Sequence, residues 1–217
     1  MMAIHLMCAG KKGMSAHQLD RMLGLTYKSA WFMAYRIRHA MAHADSMGKL
    51  NGTIEADETD VGGKVKGKGC YIARQNKAPV ATLVERNGKA RSFHFENVTA
   101  KNLRPMVNKH VEKGAAPMTD DLGLYASMRN HFSSHDLVKH SLGEYVRKEP
   151  GKIVHTNTVE GYFSILKRGI IGVYHHVGKQ HLHRHLSEFD FGHNSRDVTD
   201  GERALEALKR FQGKRLT

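Results

Sequence analysis

Three acidic clusters carry the residue types that metal-dependent phosphoryl transfer uses. Asp57 lies in IEADETDV, Asp120 and Asp121 end APMTDD, and Glu160 lies in HTNTVEGYF. Carboxylates are the hard oxygen ligands that Mg²⁺ prefers. Two such ions about 3.5–4 Å apart can stabilise both the attacking and the leaving oxygen of an in-line displacement at phosphorus. In that scheme Asp57 bridges the ions, Asp120 and Glu160 each complete one, and no nucleophilic side chain is needed. Lys167 follows Glu160 by seven residues, close to two helical turns, so both side chains fall on one helix face.

Each acid also has a structural alternative. Asp57 stands among Glu55, Glu58 and Asp60, and all four fit a row of exposed acids at a strand end. Asp120 fits a turn or the cap of a following helix. The run Asn157-Thr-Val-Glu160 fits a capping box, with Asn157 at N-cap and Glu160 at N3. Spacing alone does not make the acids converge, because 63 residues separate Asp57 from Asp120 and 40 separate Asp120 from Glu160.

The elements that must position these residues are legible in outline. IEADETDV reads as a strand, followed by the basic loop GGKVKGKG with Lys64. That loop lacks G-x-x-x-x-G-K-[ST], so it is not a Walker nucleotide site. PVATLVER and KARSFHFEN flank Asn87-Gly88, a strong hairpin signal. A helix capped by Thr99 runs to Val111, APMTDD is a fourth strand, LGLYASMRNHF a helix and HDLVKHS a fifth strand. Helices follow from Glu160 to about Ile171 and from Lys179 to about His193. The tail DGERALEALKRF aligns Leu205, Leu208 and Phe211, with Asp200 as cap. This order predicts an α/β fold with a mixed five-stranded sheet.

Ahead of it, SAHQLDRMLG reads as a helix capped by Ser15 and ended by Gly24, with Leu19, Met22 and Leu23 on one face. LTYKS leads to a second helix, AWFMAYRIRHAMAHA. Two helices joined by a short glycine turn suggest a helix-turn-helix. There the second helix, with Lys28 and Arg36, enters the major groove. A helical hairpin with a basic solvent face fits the pattern equally well.

Composition points the same way. The formal charge is +13, from 34 Lys and Arg against 21 Asp and Glu, which predicts a polyanionic partner such as nucleic acid. The two cysteines, Cys8 and Cys70, form no C-x-x-C pair and exclude a four-cysteine zinc site. His175 and His176 are adjacent and no H-E-x-x-H is present, so a helical zinc pair is not supported. No apolar run reaches the roughly 20 residues that a membrane span needs. The charges of MMAIHLMCAGKKG follow its apolar stretch, the reverse of a secretory signal. A cytoplasmic, nucleoid-associated location is expected.

The blocks ADETDVGGK, TDDLGLY and HTNTVEGYFSILKRGIIGVYHHVGKQHLHRHLSEFDFGHNSR resemble the signatures of ISXO2-like insertion-sequence transposases, a group of bacterial DDE enzymes. GMSAHQLDRMLGLTYKSAWFMAYRIRHAM resembles the helix-turn-helix region that precedes their catalytic domain. The likeness runs from about Met14 to about Arg196. It implies an RNase H-like core and Mg²⁺- or Mn²⁺-dependent DNA cleavage and strand transfer. It matches the catalytic, metal-binding acids to Asp57, Asp120 (with Asp121 as alternative) and Glu160. Lys167 matches a basic residue expected to contact element-end DNA, and Arg168, Lys28, Arg36, Lys64, His155 and Asn157 join it as expected DNA contacts.

The expected organisation is a helix-turn-helix region over residues 1–48, a catalytic domain over 49–197 and a C-terminal helix over 198–217. Two metal ions, terminal inverted repeats, target DNA and a homodimer in the active complex are the expected partners. Members commonly begin with a zinc ribbon, which this sequence does not contain. A truncated, non-catalytic DNA-binding derivative acting as a repressor is therefore the alternative.

Overall fold

The computed structural model describes residues 1–42, 48–62, 77–120, 125, 132 and 134–212. Its contacts divide the chain into two units, Ser46–Ser164 and the pair of segments Met1–Asp45 and Ile165–Thr217.

The first unit is built on a sheet of five strands: β1 (Thr53–Val61), β2 (Ala78–Glu85), β3 (Ala90–His94), β4 (Ala116–Asp120) and β5 (Asp136–Val138). Their spatial order is β3-β2-β1-β4-β5. The first three strands pair antiparallel, while β4 pairs parallel with both β1 and β5. This is the mixed sheet of an RNase H-like fold, as expected. Asn87 turns the β2–β3 hairpin with φ of 58°, a left-handed conformation that asparagine tolerates better than most residues. A parallel neighbour for β1 requires a crossover, which passes through β2, β3 and the helix here named α4 (Ala100–His110). Thr99 caps that helix by accepting the Asn102 N–H at 3.3 Å.

Alternation along β1 sends Ile54 and Ala56 into a core with Leu83, Leu103 and Val107. Glu55 and Asp57 therefore face the opposite side of the sheet. A small antiparallel hairpin, β6 (Val146–Glu149) and β7 (Lys152–His155), leads into helix α5 (Asn157–Gly169). Its turn is Pro150-Gly151, with Gly151 at φ 78°, the residue pair that a type II turn prefers. The stretch expected to form a helix over 122–132 lies, apart from Tyr125 and Phe132, outside the described residues.

The second unit is helical. It holds α1 (Met2–Ala9), α2 (Ala16–Leu23), α3 (Tyr27–Met41), α6 (Lys179–Asn194) and α7 (Asp200–Lys209). A π-helical segment, Ile170–Tyr174, continues the chain from α5. The two expected helices and the glycine turn between them are present, with α3 starting at Tyr27 rather than after LTYKS. Ser15 accepts the Gln18 N–H at 3.1 Å, Gly24 takes φ 65°, and Thr26 accepts the Ser29 N–H at 3.3 Å to open α3. Leu19 and Ala30 are buried in the core with Ile37, Met41 and Phe191.

Three local expectations are corrected. Met22 is exposed rather than packed beside Leu19, and Leu205 also points to solvent; Ala204 and Ala207 take the buried positions of α7. Thr199, not Asp200, caps α7, in a reciprocal capping box with Glu202, because the box needs its hydroxyl three residues ahead of the glutamate. Cys8 is buried among α1's apolar contacts, which pushes its thiol up to about 12 and leaves it poorly nucleophilic.

The helical unit also buries a polar network. Arg38 Nε donates to Glu188 Oε2 at 2.7 Å, Arg38 Nη2 donates to the Met14 carbonyl at 3.1 Å, and the Tyr174 hydroxyl donates to Glu188 at 2.8 Å. His185 lies edge-on to Tyr35 and Tyr174. Burial, with the positive charge of Arg38 and the neighbouring His181 and His183 adding to it, lowers its pKa to about 2. A depressed folded pKa makes stability complete above the unfolded value near 6.5 and progressively lost below it. Urea unfolding of the wild type should therefore weaken between pH 6.5 and 4, by up to about 1.4 kcal/mol per pH unit from this histidine. His185→Phe should give a shallower pH slope. Equal slopes in the two proteins would remove His185 as the cause.

Candidate active site

The register of the parallel pair places two of the three acids. Glu55 stands opposite Met118 and Ala56 opposite Thr119, so the next residues along each strand, Asp57 and Asp120, are lateral neighbours. Parallel neighbours in register point to the same face, which puts both carboxylates on the Glu55 side of the sheet. Both are half-buried. Asp57 Oδ1 accepts the N–H of Glu58 at 2.7 Å.

Glu55 is not the exposed strand-end acid that the sequence suggested. It is fully buried. Its carboxylate accepts from Thr158 N at 2.7 Å, Thr158 Oγ1 at 2.9 Å, Val159 N at 3.1 Å and Arg86 Nε at 2.7 Å. Those amides belong to the first turn of α5, so Glu55 caps that helix from a strand more than 100 residues away. The Asn157–Glu160 capping box that the spacing also fits does not form. Asn157 is the first residue of the helix rather than its cap, and its N–H goes to His155 Nδ1 at 3.2 Å, not to Glu160. Glu160 instead accepts the Thr156 hydroxyl at 3.1 Å, and its N–H donates to the Thr156 carbonyl.

Glu58 faces the other side of the sheet, toward Tyr125. Its carboxyl is pushed up to about 7, chiefly by burial and also by the charges of Asp57 and Asp120, against the lowering effect of Tyr125. The Tyr125 hydroxyl is its polar neighbour, yet neither Glu58 oxygen makes a hydrogen bond of good geometry. Tyr125 is itself pushed well above its ordinary value by burial and by Glu58.

The structure thus brings Asp57 and Asp120 side by side and docks the helix of Glu160 on their face of the sheet. The side chains do not close on one point. Among the described residues, no three His, Cys, Asp or Glu side chains are grouped so as to hold a metal ion. The donor chemistry of these three carboxylates is of the hard-oxygen type that suits Mg²⁺ or Mn²⁺. Asp121 and Lys64 lie outside the described residues.

The other expected contacts are spread over both units. Lys28 and Arg36 are exposed on α3, with the Arg36 guanidinium 5.6 Å from the Phe32 ring centre. Lys167 and Arg168 are exposed on the last turn of α5, and Asn157 is exposed at its start. His155 is half-buried at the end of β7, with Nδ1 3.2 Å from both Glu55 Oε1 and the Asn157 nitrogen. Sequence reasoning missed Arg86 entirely and misread Glu55. The usable signal was the alternation I-E-A-D, which sets Glu55 and Asp57 on one face.

Residues 49–194 match the family model described as the ISXO2-like transposase domain. The chain belongs to this family. The matched span contains Asp57, Asp120 and Glu160, together with Glu55 and Arg86. In this ISXO2-like transposase the span starts just before β1 and ends with the last residue of α6. No curated protein matches the chain. No helix among the described residues is long and apolar enough to cross a membrane.

Proposed function

We propose that this ISXO2-like transposase cleaves DNA at the ends of its insertion sequence and joins the freed 3′ ends to target DNA. Asp57, Asp120 and Glu160 hold two Mg²⁺ or Mn²⁺ ions. When bound, these ions activate the attacking oxygen and neutralise charge on the leaving one. The observation that carries the reading is the lateral placement of Asp57 and Asp120 on neighbouring parallel strands, with the helix of Glu160 capped on the same sheet face. Residues 1–48 act as the DNA-binding region, where Lys28 and Arg36 contact the duplex; residues 49–197 form the catalytic domain and 198–217 the terminal helix. Lys64, His155, Asn157, Lys167 and Arg168 are further DNA contacts in this reading. The net charge of +13 supports a DNA partner, and two element ends cut together call for a homodimer in the active complex.

The test is incubation of the protein with a plasmid carrying the DNA that flanks its own gene, in Mn²⁺. Nicks at the element boundary together with joined products are expected. A gel shift without nicking overturns this reading in favour of a DNA-binding repressor. Nicking without joined products leaves a nuclease.

A further inference from the structure

We infer that Glu55 and Arg86 form a positioning pair that fixes the start of α5, the helix of the third acid Glu160, relative to β1, the strand of the first acid Asp57. The inference rests on the acid assignment above. Neither residue is a metal ligand or touches DNA in it; both act through the start of α5.

A helix N-terminus needs acceptors for its first amides, and a local Ser, Thr, Asp or Asn normally supplies one. Thr156 stands immediately before α5 with its hydroxyl donating to Glu160, and the Thr158 and Val159 amides are served from elsewhere. The acceptor is the carboxylate of Glu55, which has no exposed surface and lies on β1 two residues before Asp57. Burying a carboxylate is costly unless it is paired and fully hydrogen-bonded, and here it receives four donors. A local cap would satisfy the helix just as well. Only a cap from β1 also fixes where the helix starts relative to the strand that carries Asp57.

Arg86 completes the fixation. Its Nε binds Glu55, while Nη1 donates to the Ile153 carbonyl at 2.7 Å and Nη2 to the His155 carbonyl at 2.9 Å. One guanidinium thereby ties the strand β7, which leads directly into α5, to β1. Arginine suits this task because its planar fork serves several acceptors at once, which lysine cannot. Partners that orient metal ligands without touching the metal typically control 10–100-fold in metal affinity or activity, and sub-ångström placement of reacting groups matters on a comparable scale.

The experiment compares wild type, Glu55→Gln, Thr158→Val and Glu160→Gln. It reads Mn²⁺ affinity by electron paramagnetic resonance of the free ion, DNA affinity by gel shift, and nicking rate against Mn²⁺ concentration. Glu55→Gln should weaken Mn²⁺ binding about 10–100-fold and raise the Mn²⁺ needed for half-maximal nicking in step. DNA affinity should stay within about twofold of wild type, since the pair acts only on metal-ligand placement. Thr158→Val removes a single donor and keeps both backbone amides, so it decides the matter should Glu55→Gln fail to fold; a several-fold weakening is expected. Wild-type Mn²⁺ affinity in folded Glu55→Gln, or in Thr158→Val when Glu55→Gln does not fold, overturns the inference. Glu160→Gln separates the two levels. Unchanged Mn²⁺ binding there overturns the acid assignment and this inference with it. Lost Mn²⁺ binding there with an unaffected Glu55→Gln overturns the positioning role alone.

Discussion

Asp57→Asn and Glu160→Gln should each abolish metal-dependent nicking while leaving DNA binding intact. Loss of a single group that stabilises transition-state charge costs about 10²–10³-fold, and loss of a ligand to the metal that supplies most of that stabilisation should cost at least as much. Both substitutions keep the shape of the side chain and the contact that holds it. Asparagine at 57 can still accept the Glu58 N–H through Oδ1, and glutamine at 160 can still accept the Thr156 hydroxyl through Oε1. Melting curves that overlay with wild type are expected. The measurement is plasmid nicking in Mn²⁺ beside a gel shift on the same DNA. Wild-type nicking by Asp57→Asn would strike the residue from the active site. A joint loss of nicking and DNA binding would point to unfolding, which the melting curves would reveal.

The elements that carry Asp57 and Asp120 were legible because their signals are local. An alternating run ending in acids marks β1, Asn87-Gly88 marks the β2–β3 hairpin, and Ser15 and Gly24 punctuate the first helix of the N-terminal pair. What remained hidden depends on contacts between distant residues. The role of Glu55 arises only when α5 meets β1, 103 residues away in sequence for Thr158. Read locally, the same glutamate is one of several acids in a polar strand end. The capping box over Asn157 was plausible by spacing, yet the helix starts one residue earlier than the box requires, with Asn157 already inside it. Thr199 against Asp200 is a different kind of miss, a one-residue shift in cap position. The β6–β7 hairpin had its signal, Pro150-Gly151, but its short and mostly polar strands lack the apolar alternation that marks a half-buried strand.

The largest stability effect should come from the helical unit. Arg38→Met is expected to destabilise it by about 3–5 kcal/mol, the range for removing one partner of a buried ion pair. Arg38 and Glu188 side chains are 2% and 4% exposed, so water cannot replace the lost partner. The substitution would leave Glu188 charged in a nearly dry interior with only the Tyr174 hydroxyl donating to it among the bonds described here. It would also remove the donor to the Met14 carbonyl and the cation that lies over the Tyr35 and Tyr174 rings. The double variant Arg38→Met/Glu188→Leu should recover much of the loss, because replacing a whole buried pair by apolar side chains is often neutral or stabilising. Urea unfolding of the two singles and the double gives the coupling between them. A double variant as unstable as Arg38→Met would mean that the cost lies in the lost packing and carbonyl contacts of the arginine, not in the stranded charge. Recovery would mean that the pair contributes little net stability. Its retention would then be explained by specificity: it joins α3, the chain before α2, the π-helical segment after α5 and α6 through one guanidinium and one carboxylate.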